Sequence, residues 1–174
     1  EPGMDVVVHR CAGLDVHRDT VVATVRVPGS GRLLRAQHTR TFATTTAGIT
    51  ALGDWLAEHR VTRTGMESTG VYWKPVYYLL EDQLEGWLIN AEHLHNVPGR
   101  KTDVADSAWI ARMIEHGLVR PSFVPPPPIR ELRDLTRHRR TLVEERTRVV
   151  QRLEKVMQDA GIKLSSVASK VLSK

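Results

Sequence analysis

The stretch Cys11-Ala12-Gly13-Leu14-Asp15-Val16-His17-Arg18-Asp19-Thr20-Val21-Val22-Ala23-Thr24-Val25-Arg26-Val27 decides the fold. Its first six residues are an apolar run with one carboxylate, Asp15, near its end. The later residues alternate. Val21, Ala23, Val25 and Val27 share one face and Val22, Thr24 and Arg26 the other, which is the two-residue period of a strand. Pro28-Gly29-Ser30-Gly31 is a turn, and a third strand is expected over Leu33–Phe42, so strands two and three form an antiparallel hairpin.

Outward from this hairpin, Thr44-Thr45-Thr46 offers N-cap hydroxyls for a helix from Ala47 to His59, with Ile49, Leu52, Trp55 and Leu56 on one face. A short strand, Thr64–Glu67, precedes a loop opened by Gly70. A helix carrying Val76, Leu79 and Leu80 then runs to about Glu85. Gly86 is expected to break the chain before a strand at Trp87–Asn90, and Glu92–Lys101, with Pro98-Gly99, is expected to be a loop. Thr102 caps a further helix through Ala108, Ile110, Ala111 and Met113, ended by Gly117. A hairpin-led sheet followed by alternating helices and strands is an α/β architecture, and this is the element order of the ribonuclease-H-like fold.

The organisation changes at Pro125-Pro126-Pro127-Pro128, an expected extended linker. Residues 129–160 lack Pro and Gly, and Leu132, Leu135, Arg139, Leu142, Arg146, Val149, Leu153, Val156 and Ala160 alternate spacings of three and four. The expected division is a catalytic domain over 1–124, a linker at 125–128 and a helical arm over 129–174. The arm segment 129–160 holds nine basic and six acidic residues, so its charges solvate a helix or meet phosphates. Arg137, Arg139 and Arg140 are the candidate phosphate contacts, and arginine on the seam disfavours a tight two-stranded coil unless paired.

A net charge of +5 and a pI near 9.7 fit an anionic partner, nucleic acid being the commonest. Cys11 is the single cysteine, so no intrachain disulfide exists and a reducing compartment is expected. It is expected to be a small buried hydrophobe rather than a nucleophile. No run approaches the roughly 18 apolar residues of a membrane span. Tyr72, Trp73, Tyr77 and Tyr78 could stack on bases, but packing a helix on the sheet is the plainer use of such residues.

Four carboxylates carry the chemistry: Asp15, Glu67, Asp103 and Asp106. Each has an ordinary alternative. Asp15 could serve a turn, Ser68 and Thr69 could satisfy Glu67, and Asp103 and Asp106 could stabilise a helix start through its dipole. Together they are a set of hard oxygen ligands suited to Mg²⁺, with Mn²⁺ as substitute, in the two-metal cleavage of a nucleic-acid backbone. Arg100 and Lys101 could hold a phosphate beside them. His93 and His95 lack further ligands and are expected to be loop residues.

Three motifs carry a resemblance: Gly13-Leu14-Asp15-Val16-His17, Met66-Glu67-Ser68-Thr69-Gly70-Val71-Tyr72-Trp73, and Asn96-Val97-Pro98-Gly99-Arg100-Lys101-Thr102-Asp103-Val104-Ala105-Asp106. In this order they resemble the DEDD transposases of the insertion-sequence-110 class, whose N-terminal domain is similar to the RuvC junction resolvase. Arg120-Pro121-Ser122-Phe123-Val124-Pro125 and Arg130-Glu131-Leu132 also fit. The resemblance implies that Asp15, Glu67, Asp103 and Asp106 are the metal ligands. It further implies DNA and a structured bridge RNA as partners, at least a dimer formed through the arm, and a prokaryotic, nucleoid-associated cytoplasmic location. The family's serine nucleophile belongs to a C-terminal domain that the serines at 165, 166, 169 and 173 do not resemble. This chain alone is therefore expected not to complete recombination. A conventional junction-resolvase-like nuclease and a non-enzymatic nucleic-acid-binding dimer are the competing readings.

Overall fold

The structure is a computed structural model that describes residues 5–30, 34–68, 70–90, 92 and 106–166. The chain divides into two compact units, Glu1–Val124 and Pro125–Lys174. In the first, strands β1 (Cys11–Val16), β2 (Thr20–Pro28), β3 (Arg35–Ala43), β4 (Arg63–Glu67) and β5 (Glu85–Ile89) form one sheet in the order β3-β2-β1-β4-β5. The pairs β1–β2 and β2–β3 are antiparallel, whereas β1–β4 and β4–β5 are parallel. This mixed five-stranded sheet with flanking helices is the ribonuclease-H-like fold that the element order predicts.

Alternation along the strands sends side chains to two cores. Ala12, Leu14, Val21, Ala23, Val25, Val27 and Met66 meet Ile49, Leu52, Trp55 and Leu56 of helix α1 (Thr46–Glu58) and Val76 and Leu80 of helix α2 (Trp73–Leu80). Burying each Val, Leu, Ile or Met among them stabilises the fold by about 1.5–3 kcal/mol. Thr45 caps α1, its hydroxyl accepting from the Gly48 amide at 3.2 Å. The opposite core joins Cys11 and Ile89 to Trp109, Ile110, Met113 and Ile114 of helix α3 (Asp106–Glu115). Gly117, at φ 65°, ends α3, with the Leu118 amide donating to the Met113 carbonyl at 2.9 Å.

Gly13 lets α3 lie directly on β1. A Cβ there would collide with the Ser107 carbonyl oxygen and the Ala111 amide nitrogen, and would stand 2.9 Å from the Ile110 Cβ. Two of these atoms are helix backbone, which cannot swing aside.

Two expectations are corrected. Helix α2 stops at Leu80, and Gly86 lies inside β5 opposite Thr64 rather than breaking the chain. There it faces the Tyr77 ring, whose Cε2 would be 3.2 Å from a Cβ. Strand β5 begins at Glu85, which lies opposite Arg63; its amide donates to the Thr62 carbonyl at 3.2 Å and its carboxylate accepts from Arg63 Nε and Nη2 at 2.9 and 2.7 Å.

In the second unit, helix α4 (Pro127–Asp159) takes Pro127 and Pro128 into its first turn, where a missing amide breaks no helical bond. The extended linker therefore shrinks to the residues before Pro127, with Pro126 at φ −63°, ψ 158°. At 33 residues the helix is about 50 Å long. None of its residues is buried, and Leu132, Leu135, Leu142, Val149, Leu153 and Val156 stand exposed along one stripe. Among the described residues no helix is long and apolar enough to cross a membrane.

Gly13→Ala is expected to lower stability by about 1–3 kcal/mol through overpacking, read as a fall in the urea midpoint at unchanged m-value. A substitution with no effect would show that α3 does not rest on β1 at this point.

Candidate metal centre

The pairing register places the first two carboxylates. Leu14 lies opposite Met66 in the parallel β1–β4 pair, so Asp15 and Glu67 each stand one residue further along neighbouring strands. Both alternate with residues of the α1–α2 core, Leu14 and Met66, and so face the α3 side of the sheet. Asp106 is the first described residue of α3, the helix that packs on β1. Three chain segments thus bring three carboxylates to one end of one sheet face.

Burial raises the Asp15 pKa above its ordinary value, and the negative charges of Asp106 and Glu67 push in the same direction. His17 opposes them, with Nε2 3.0 Å from Asp15 Oδ2. Asp15 is therefore in a partly desolvated site with two further carboxylates acting on it, an arrangement whose ionised form a cation relieves. All-oxygen donors fit a hard divalent ion, so the donor chemistry suits Mg²⁺ or Mn²⁺. Among the described residues no three His, Cys, Asp or Glu side chains are close enough to hold a metal ion as they stand.

Asp103, Arg100, Lys101, His93 and His95 lie outside the described residues. Arg137, Arg139 and Arg140 are exposed on α4; Arg140 Nε meets Glu144 at 2.9 Å and Arg137 Nη1 meets Asp134 at 3.8 Å. Trp73, Tyr77 and Tyr78 pack edge to face on one another, and Trp73 and Tyr77 also pack against the α1–α2 core. Cys11 is buried and its pKa is pushed up to about 12, chiefly by desolvation and then by Glu115, so it is no nucleophile at neutral pH.

Sequence reasoning missed the group that ties α3 down. Glu115 is fully buried at the end of α3, where Arg26 Nε from β2 reaches Oε2 at 2.6 Å and an Arg35 guanidinium nitrogen from β3 reaches Oε1 at 2.5 Å. The available signal was a glutamate at a helix C-terminus, a place that favours cations. At the other end of α3, buried Ser107 and Thr24 share a hydrogen bond, Oγ to Oγ1 2.8 Å, and Thr24 shares another with Thr39 at 2.9 Å.

A family model described as transposase, that of the DEDD transposases of the insertion-sequence-110 class, matches residues 12–162. The chain belongs to this family. No curated protein matches it. The solved structures similar to this DEDD transposase chain include Thermus thermophilus RuvC, at 14% identity and TM-score 0.46, covering 65% of this chain and 99% of that one. Another is T. thermophilus RuvC in complex with Holliday junction substrate, at 12% identity and TM-score 0.46, covering 66% and 99%.

The raised pKa of Asp15 gives a signed expectation. Its contribution to stability is present below the unfolded value of 3.8 and is lost as pH rises through the folded pKa. Ionised Asp15 thus destabilises the cation-free transposase chain at neutral pH. Asp15→Asn is expected to melt higher than the parent at pH 7 in chelator, with the gap closing toward pH 3. A lower melting temperature at pH 7 would contradict this reading of the site.

Proposed function

We propose that this DEDD transposase chain is the metal-holding catalytic part of a DNA recombinase guided by a structured bridge RNA. The observation that supports the reading is the placement of Asp15, Glu67 and Asp106 at one end of one sheet face, near enough for their charges to act on Asp15, in a chain of this family. Asp15, Glu67 and Asp106, joined by Asp103, would hold Mg²⁺, with Mn²⁺ as a substitute. Ions held there would supply charge stabilisation for backbone cleavage.

The chain's own residues provide position. Strands β1 and β4 fix Asp15 and Glu67 side by side, and the first turn of α3 brings Asp106 to them. Arg100 and Lys101, which precede Asp103 in the chain, would contact the DNA backbone. Arg137, Arg139 and Arg140 contact phosphates of DNA or guide RNA, exchanging weak exposed pairings such as Arg140 to Glu144 for phosphate oxygens. The nucleophile is a serine from a further domain, as the family resemblance implies. The aliphatic stripe of α4 joins two copies, and the assembly works on the nucleoid in the prokaryotic cytoplasm.

Calorimetric titration of Mg²⁺ and Mn²⁺ onto this chain is expected to show binding that Asp106→Asn weakens at least about tenfold, the loss typical of altered metal surroundings. Binding that ignores the substitution would refute the ligand assignment. With branched DNA and Mn²⁺ this chain alone should leave the strands intact. Robust cleavage would instead support water as the nucleophile and a junction-resolvase-like enzyme.

The stripe makes a separate prediction. Leu142→Glu is expected to convert a dimer to a monomer in sedimentation velocity, because Leu142 sits mid-stripe and exposed. A parent chain that already sediments as a monomer would remove dimerisation from the proposal.

A further inference from the structure

We propose that Thr24 and Ser107 are positioning residues for the metal centre: their buried hydroxyl pair sets where Asp106 stands relative to Asp15 and Glu67. The inference rests on the assignment of those carboxylates as metal ligands.

Helix α3 is fastened to the sheet at three places on one stripe. Ser107 meets Thr24 of β2 at 2.8 Å, the Ala111 carbonyl accepts from Cys11 Sγ of β1 at 3.4 Å, and Glu115 is held by Arg26 and Arg35. Residues 107, 111 and 115 are four apart, so all three face the sheet together. The strongest fastening lies at the end far from the site. Asp106 stands nine residues from Glu115, about 13 Å along the axis, so a tilt of about 5° at the Glu115 clamp moves it by about 1 Å. Functional constellations tolerate about 0.5 Å. The Gly13 contact limits how near α3 comes to β1, but the glycine itself presents no side chain to set the helix's position along the strand. At the Asp106 end, the buried Ser107 to Thr24 bond is a directional contact that resists sliding.

The chemistry of the pair is consistent with that task. Both side chains are fully buried, and a matched apolar pair of the same shape would serve stability about as well. A hydroxyl pair adds direction. Thr24 is itself oriented from its other side by Thr39 of edge strand β3, 2.9 Å away. The chain of hydroxyls runs Thr39, Thr24, Ser107 and ends next to Asp106.

The test separates positioning from stability by setting them against each other. Thr24→Val keeps the shape and removes the hydroxyl, whereas Thr24→Ser keeps the hydroxyl and removes a buried methyl. Mn²⁺ affinity is measured by calorimetry and electron paramagnetic resonance on the whole chain, and thermal melting is measured in chelator. Thr24→Val is expected to weaken Mn²⁺ binding about tenfold, with Thr24→Ser close to the parent although it melts lower. Ser107→Ala should match Thr24→Val, and the double variant should be no weaker than either single one. Affinity that follows melting temperature across the set, or Thr24→Val binding like the parent, overturns the proposal. A parent chain whose Mn²⁺ binding is absent, or unaffected by Asp15→Asn, overturns it too, and locates the fault in the ligand assignment rather than in the hydroxyl pair.

Discussion

The contact of the α3 backbone with Gly13 is the constraint on which the first unit depends. A helix normally stands off a sheet by the length of interleaved side chains. Here the Ser107 carbonyl and Ala111 amide occupy the space that a Cβ of residue 13 would fill. Only at that short distance do Cys11, Thr24 and Arg26 reach polar partners on α3. The same approach carries Asp106 toward Asp15. One missing methyl group therefore underlies both the second core and the candidate centre.

The two faces of the sheet are stabilised differently. The α1–α2 face is closed mainly by aliphatic and aromatic packing, with Phe42 and Trp55 rings 5.5 Å apart at its edge. The α3 face combines a smaller apolar core with directional contacts, including a fully buried glutamate between two arginines. Buried ion pairs of this kind contribute little net stability, because desolvation offsets attraction, but they fix geometry. The carboxylate end of the same face shows the opposite condition. Asp15 is desolvated next to like charges, so its ionised form costs folding free energy there.

Much of this was legible in the chain. The alternation of Val21 to Val27 and the three-four spacing of Ile49 to Leu56 predict elements that the structure places within a residue or two. Gly86 misled because glycine punctuates both loops and strands, and only the packed Tyr77 ring reveals which applies here. Pro127 and Pro128 misled for a related reason, since proline suits an extended linker and the first turn of a helix equally well. Glu115 carried a faint signal as an acid at a helix C-terminus, yet nothing local names Arg26 and Arg35 as its partners.

By itself the sequence determined which segments are strands and helices, the basic charge, and the motifs that mark the DEDD transposase family. These follow from side-chain periodicity and local chemistry, which are written along the chain. Tertiary structure alone decided that Asp15 and Glu67 stand at one level, because that rests on the parallel pairing of Leu14 with Met66 across two other strands and a helix. It also decided that Thr24 meets Ser107, 83 residues away. Contacts of that range depend on register and on how closely two backbones approach, and no local pattern encodes either.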